Sequence, residues 1–134
     1  MTVDPTPQGL NAFIEDVPGD TPLVMLNLLR FRPVADYPEG DSQVSGWEAY
    51  QRYGELVQPF LAGVGGSIEW QGSTHPSLIG PDGERWDACF LVRYPSKSAF
   101  LDMVMNPEYQ AITHHRTAAL SDSRLVPMVE ATLA

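Results

Sequence analysis

Apolar positions along this chain follow two periods, and turn-forming residues separate the runs. The densest run is Leu23-Val-Met-Leu-Asn-Leu-Leu-Arg-Phe-Arg32. Both of its alternating sets are apolar, which predicts a central strand over 22–32 covered on both faces. It is far shorter than the roughly 20 apolar residues that span a bilayer. Ahead of it, Leu10, Phe13 and Ile14 recur at helical spacing and predict a short helix over 7–16, broken by Pro18–Pro22. Residues 33–44 are polar and rich in turn formers, so they read as a loop, placed to act as a lid.

Ser45 and Glu48 form a capping box. Trp47, Tyr50, Tyr53, Val57, Phe60 and Leu61 then repeat at helical spacing, with Pro59 loosening the last turn and Gly63–Gly66 ending it. A strand containing Trp70 is predicted over 67–79, a turn over 80–83 and a third strand over 86–94. Ser96 caps a helix bearing Phe100, Met103 and Val104. Asn106-Pro107-Glu108 is a restart signal for a helix carrying Tyr109, Ile112 and Leu120 on one side. A last strand is predicted over 124–133, and Pro127 within it argues for an edge position.

The order is a leading helix followed by βαββαβ, a split βαβ or ferredoxin-like α+β arrangement. Residues 1–21 read as an N-terminal helix extension and 22–134 as the ferredoxin-like domain. Helices cover only one sheet face in this fold, yet the first strand is apolar on both. The simplest cover for the second face is another copy of the chain, so a homodimer is expected.

Composition adds limits. The 134 residues are 43% hydrophobic, enough for one domain with its own core. Net charge is −9, and only eight Lys and Arg are present without a basic run. Binding to nucleic acid or to an anionic membrane by charge is therefore not expected. The single cysteine, Cys89, and the absence of a secretory pattern in the first residues fit a cytoplasmic protein. No Gly-x-Ser-x-Gly, Walker or dinucleotide motif and no metal-ligand spacing occurs, so no metal or cofactor is expected.

Leu26-Asn-Leu-Leu-Arg-Phe-Arg32, Gly46-Trp-Glu-Ala-Tyr-Gln-Arg-Tyr53, Pro59, Gly65-Gly66, Arg93-Tyr-Pro-Ser96 and Asn106-Pro-Glu-Tyr109 with Arg116 occur in order over residues 22–132. Together they resemble the DUF1330 family of uncharacterised proteins, in the dimeric α+β-barrel superfamily. The resemblance implies a ferredoxin-like protomer and a dimer whose sheets form a barrel; it implies no reaction. Haem-degrading superfamily relatives use an Asn on the first strand, a Trp on the helix after the third strand and a His on the next helix. Here Asn27 matches the first, but Met103 and Thr113 stand at the other two positions, so haem is not expected.

Several residues remain as site candidates. Asn27 is either a buried amide satisfied by neighbouring backbone or the polar floor of a ligand pocket. Arg116 shares a helical face with Tyr109, Ile112, Thr113 and Leu120, so it points towards the sheet. It is either a clamp for an anion or enol, or one half of an ion pair with Glu48 or Asp102. His114 and His115 lie about 100° apart on a helix and cannot share one metal ion. Both face solvent, or His115 serves as an acid–base group. Trp47, Tyr50, Tyr53 and Trp70 either pack the core or stack on a flat apolar ligand. Two functions follow. One is a cofactor-independent enzyme performing proton transfer, isomerisation or oxygenation on a small apolar, oxygen-bearing compound. In it Asn27 and Arg116 orient the oxygen. The other is a non-catalytic dimer that binds a ligand or a protein.

Overall fold

Strand β1 (Leu23–Phe31) lies inside the sheet, as its two apolar faces require. The computed structural model describes residues 1–38 and 43–133. Strands β2 (Ser67–Ser73), β3 (Ala88–Tyr94) and β4 (Leu120–Met128) complete an antiparallel sheet in the order β2-β3-β1-β4. That is the expected ferredoxin-like topology, with Pro127 on an edge strand where its missing N–H costs no ladder bond.

Helix α1 (Pro7–Asp16) starts at Thr6, whose hydroxyl accepts from the Gly9 N–H. Helix α2 (Gly46–Gly63) opens with both halves of the Ser45–Glu48 capping box and runs through Pro59. Only glycine fits at position 46. A Cβ there would lie 2.4 Å from the Arg32 carbonyl oxygen and 2.5 Å from that of Ala119. Past the end of α2, Gly65 adopts φ +78°, a conformation open to glycine. Helix α3 (Lys97–Val104) is capped by Ser96 and α4 (Pro107–Gln110) by Asn106.

Three boundaries differ from the sequence pattern. The helix expected from Asn106 to Leu120 is broken at Ala111–Ile112 into α4 and α5 (Thr113–Ala119). Strand β2 stops at Ser73, because Pro76 and Pro81 cannot donate to a ladder, and residues 74–87 make an irregular excursion. Strand β4 begins at Leu120, which pairs with Phe31 and is fully buried, and it ends at Met128.

Alternation along β1 separates the two faces. Leu23, Met25 and Leu29 are buried beneath the helices. Two cores form there. One gathers Phe13 of α1 with Leu23, Met25, Tyr53, Leu61, Tyr94, Phe100, Met103 and Tyr109. The other gathers Leu29, Ala35, Tyr37, Ala49, Ala118, Ala119 and Leu120. Tyr50 packs against both. On the opposite sheet face, Val24, Leu26 and Leu28 stand beside Cys89, Leu91, Val126 and Met128. Among the described residues no element covers that face; Val126 is 44% and Met128 37% exposed. Among the described residues Arg124–Asp122 is the one ion pair, so Arg30 and Arg32 lack acid partners.

Candidate functional site

Helices and sheet do not close completely against each other. A cavity of about 1170 Å³ opens at the seam between the two cores. Its floor is the helix-side face of the sheet: Met25 and Asn27 of β1, Phe90, Val92 and Tyr94 of β3, Gln71 of β2, Ser123, Leu125 and Pro127 of β4. Its roof is Trp47, Tyr50 and Tyr53 of α2, Phe100 and Met103 of α3, and Tyr109, Thr113 and Arg116 of the broken helix. The floor and roof are mostly aromatic and aliphatic, the usual character of a small-molecule site, while exposed polar and charged residues such as Asp4, Gln51, Glu55 and Arg124 also line it.

Asn27 sits between Phe90 and Leu125 in register. Its Nδ2 donates to the carbonyls of Met25 (3.3 Å) and Phe90 (3.5 Å), both long bonds. Two carbonyls at one end fix the amide orientation, leaving Oδ1 as the free acceptor. Among the described residues nothing donates to that oxygen. Asn27 is thus held by backbone at its nitrogen and open at its oxygen.

Arg116 enters the cavity from α5. Its Nη1 donates to the Val3 carbonyl at 2.8 Å. Neither acid weighed as a partner reaches it: Glu48 is engaged in its capping box, and Asp102 is exposed on α3. Beside it lies the Tyr50 hydroxyl. Burial pushes the Tyr50 pKa up to about 12, against the lowering influence of Arg116. The Tyr53 and Tyr109 hydroxyls are 2.7 Å apart. Burial, and then the neighbouring Tyr109 and Tyr50 phenols, raise Tyr53 well above the ordinary phenol range. These phenols keep their protons at neutral pH and act as hydrogen-bond donors, not bases.

Three expectations need correction. His115 does not line the cavity. With Arg116 turned inward, the adjacent position turns towards the loop after β1, where His115 Nδ1 lies 2.7 Å from the Tyr37 hydroxyl. Desolvation first, then the charges of His114 and Arg52, lower its pKa; the Tyr37 hydroxyl accepts from Arg52, and with Nδ1 unprotonated it donates its own hydrogen bond to His115. Trp70 is also outside. A bulge between Ile68 and Trp70 adds a residue to β2, pairs Trp70 with Leu91 and puts it on the uncovered sheet face. Lastly, the described part of the 33–44 loop does not roof the cavity: Ala35 and Tyr37 are buried in the second core, and the Asp36 N–H donates to the Ala118 carbonyl. Residues 39–42 of the expected lid lie outside the described residues.

The pattern missed Tyr109 as a site residue, although it lies on the face that carries Arg116. A tyrosine on a buried helical face needs a hydroxyl partner, a usable signal that did not name Tyr53. Among the described residues no helix is long and apolar enough to cross a membrane, and no three His, Cys, Asp or Glu are placed to hold a metal ion.

A four-stranded antiparallel sheet, helices on one face and a cavity between them define a ferredoxin-like α+β protein. The sequence model of the domain of unknown function DUF1330 matches residues 38–130, and the chain belongs to that family. Arg116 and the tyrosines fall within the matched region, whereas β1 with Asn27 precedes it. The RPA0582 protein of unknown function from Rhodopseudomonas palustris is 39% identical, with 98% of each chain covered and a TM-score of 0.89. The methylated RPA0582 protein gives 40% identity over 98% of this chain and 96% of that one, with a TM-score of 0.91. A dimeric protein of unknown function and ferredoxin-like fold from Bacteroides fragilis is 12% identical, covering 84% of this chain and 100% of that one, TM-score 0.52. A hydroxynitrile lyase from Passiflora edulis shares the fold at 8% identity, covering 86% of this chain and 98% of that one, TM-score 0.60. No curated protein matches the chain.

Proposed function

We propose that the chain is a homodimer whose helix–sheet cavities each bind a small, largely apolar compound through a negatively charged or carbonyl oxygen. One observation carries this reading: Arg116 reaches an aromatic-lined cavity where the Val3 carbonyl and the Tyr50 hydroxyl are its partners and, among the described residues, no acid pairs with it. A guanidinium has five donors, and half-buried Arg116 keeps donors unused that an anion can take up. An anionic oxygen completes its partners, while the rings of Tyr50, Phe90 and Trp47 offer flat apolar contact. The Tyr50 hydroxyl donates to the same oxygen, and the Asn27 Oδ1 accepts from a ligand hydroxyl or amine. The dimer rests on the apolar face of β1, β3 and β4 that nothing among the described residues covers, and on the B. fragilis relative described as dimeric.

The catalytic form of this reading is stabilisation of an enolate. Arg116 supplies charge and Tyr50 a hydrogen bond where negative charge develops during proton transfer or isomerisation. Cofactor-independent oxygenation would start from the same enolate. A specific observation favours the second reading, a non-catalytic ligand-binding dimer. No imidazole lines the cavity among the described residues, its phenols hold their protons, and the carboxylates of Asp4, Asp16 and Glu55 on its lining belong to exposed residues.

Titration calorimetry with 2-naphthoate and 2-naphthylmethanol tests the binding claim common to both. The carboxylate is expected to bind more tightly than the alcohol. Arg116→Gln is expected to weaken naphthoate by about tenfold or more, the scale of a hydrogen bond to a charged group. The alcohol should change little, and His115→Ala should alter neither. Equal affinity for the two probes, or equal losses in Arg116→Gln, contradicts the anion clamp.

A further inference from the structure

Residues 2–4 run along β4, the edge strand, and reach the cavity. The Thr2 carbonyl accepts from the Ser123 N–H at 2.7 Å and from its hydroxyl at 2.9 Å. The Thr2 N–H donates to Asp122 Oδ1 at 3.0 Å. Arg124 Nη1 donates to Thr2 Oγ1 at 2.9 Å and to Asp122 Oδ1 at 2.8 Å. At the far end, the Thr117 hydroxyl donates to Asp4 Oδ1 at 2.9 Å. Burial acts to raise the Asp122 carboxyl, but the Thr2 N–H, the Arg124 guanidinium and the Ser123 N–H outweigh it and hold it below the ordinary carboxylate range. The anchor is therefore ionised at neutral pH, and hydrogen bonds to an ionised group are stronger than neutral ones.

Between these two anchors Val3 turns its carbonyl onto Arg116 Nη1, and Thr2, Val3 and Asp4 all line the cavity. Asp122, which does not line the cavity, reaches Arg116 through the backbone of Thr2 and Val3, and also through Ser123, whose N–H donates to Asp122 Oδ1 at 2.9 Å and whose hydroxyl donates to the Val3 carbonyl at 3.4 Å.

We propose that residues 2–4 are a positioning element of the ligand site. The Val3 carbonyl fixes the Arg116 guanidinium, and Asp122 with its neighbour Ser123 fixes Val3, Asp122 by holding Thr2. This rests on the anion-clamp reading above. Tying one donor of a planar fork removes rotamer freedom before the ligand arrives, so less is lost on binding. An anion gains from that order because it uses the remaining donors. A neutral apolar ligand does not use the fork and gains nothing. Loosening the segment therefore changes selectivity between charged and neutral ligands, which a merely structural contact would not do.

The test compares 2-naphthoate with 2-naphthylmethanol by calorimetry on the full chain and on Asp122→Ala, with circular dichroism to check folding. In Asp122→Ala the naphthoate affinity is expected to fall about tenfold, in the usual range for coupling between sites, with the alcohol unchanged. Asp122→Asn, which keeps an acceptor for the Thr2 N–H, is expected to recover part of the loss. Should Asp122→Ala not fold, deletion of residues 2–4 carries the same comparison. No preference for naphthoate in the full chain contradicts the anion clamp and this proposal together. A preference undiminished in the variant, or equal losses for both probes, contradicts the proposal alone. A gain in naphthoate affinity also overturns it: Arg124, which lines the cavity and loses its ion pair in the variant, would then hold the carboxylate in place of Arg116.

Discussion

Replacing either Tyr53 or Tyr109 by Phe orphans the other hydroxyl of a buried pair. The two oxygens are 2.7 Å apart, and the residues are 8% and 7% exposed. An unsatisfied buried hydroxyl costs about 1–3 kcal/mol. Because both rings border the cavity, water inside it can restore part of that bond, so the expected loss is about 1–2 kcal/mol for each single variant. The double variant leaves no orphan. Its loss is expected to fall short of the sum of the singles by about 1 kcal/mol, a coupling typical of contacting residues. For a domain of this size each single loss lowers Tm by roughly 3–8 °C. Urea unfolding of the four proteins, at constant m-value, measures the cycle. Singles that cost nothing, with an additive double, would show that the hydroxyls do not bond each other and that this end of the cavity is fully wet.

Gly46→Ala is expected to destabilise by about 2 kcal/mol or more, as overpacking does, because backbone atoms of Arg32 and Ala119 crowd the new methyl; thermal unfolding measures it. Tyr50 and Tyr53 hold their protons more tightly folded than unfolded, so stability is full below about pH 10 and declines above it. For Tyr50, raised from 10.0 to about 12, the decline amounts to about 3 kcal/mol across that interval; unfolding curves from pH 9 to 12 follow it, and Tyr50→Phe should lessen the decline while leaving the part due to Tyr53. Leu26→Asp puts a charge on the uncovered sheet face beside Leu91 and Val126. Light scattering should then show monomer in the variant and dimer in the natural chain, with circular dichroism unchanged.

Much of this architecture is legible in the chain because local chemistry and burial agree there. The Ser45–Glu48 box, the Asn106-Pro107 restart and the two-faced apolarity of 22–32 each led to an observed element. Parity along β1 placed Asn27 on the helix side, and helical spacing turned Arg116 inward. The failures have definite causes. One extra residue at the Ile68/Trp70 bulge reverses the facing of Trp70, and a slip of one is invisible in an exposed strand. The helix break at Ala111–Ile112 makes α5 a separate helix, so a single helical wheel from Asn106 misjudges what its flanks meet. Tyr37, the partner that holds His115, lies in a loop whose course no periodicity describes. The link from Val3 to Arg116 joins residues 113 apart, and nothing local to either announces it.

A crystal structure of the protein with bound 2-naphthoate tests the anion clamp most directly. The carboxylate is expected within hydrogen-bonding distance of the Arg116 guanidinium and the Tyr50 hydroxyl, with the rings against Phe90 and Trp47. Naphthoate bound on the uncovered sheet face, or seated in the cavity with its carboxylate turned away from Arg116, would contradict the account.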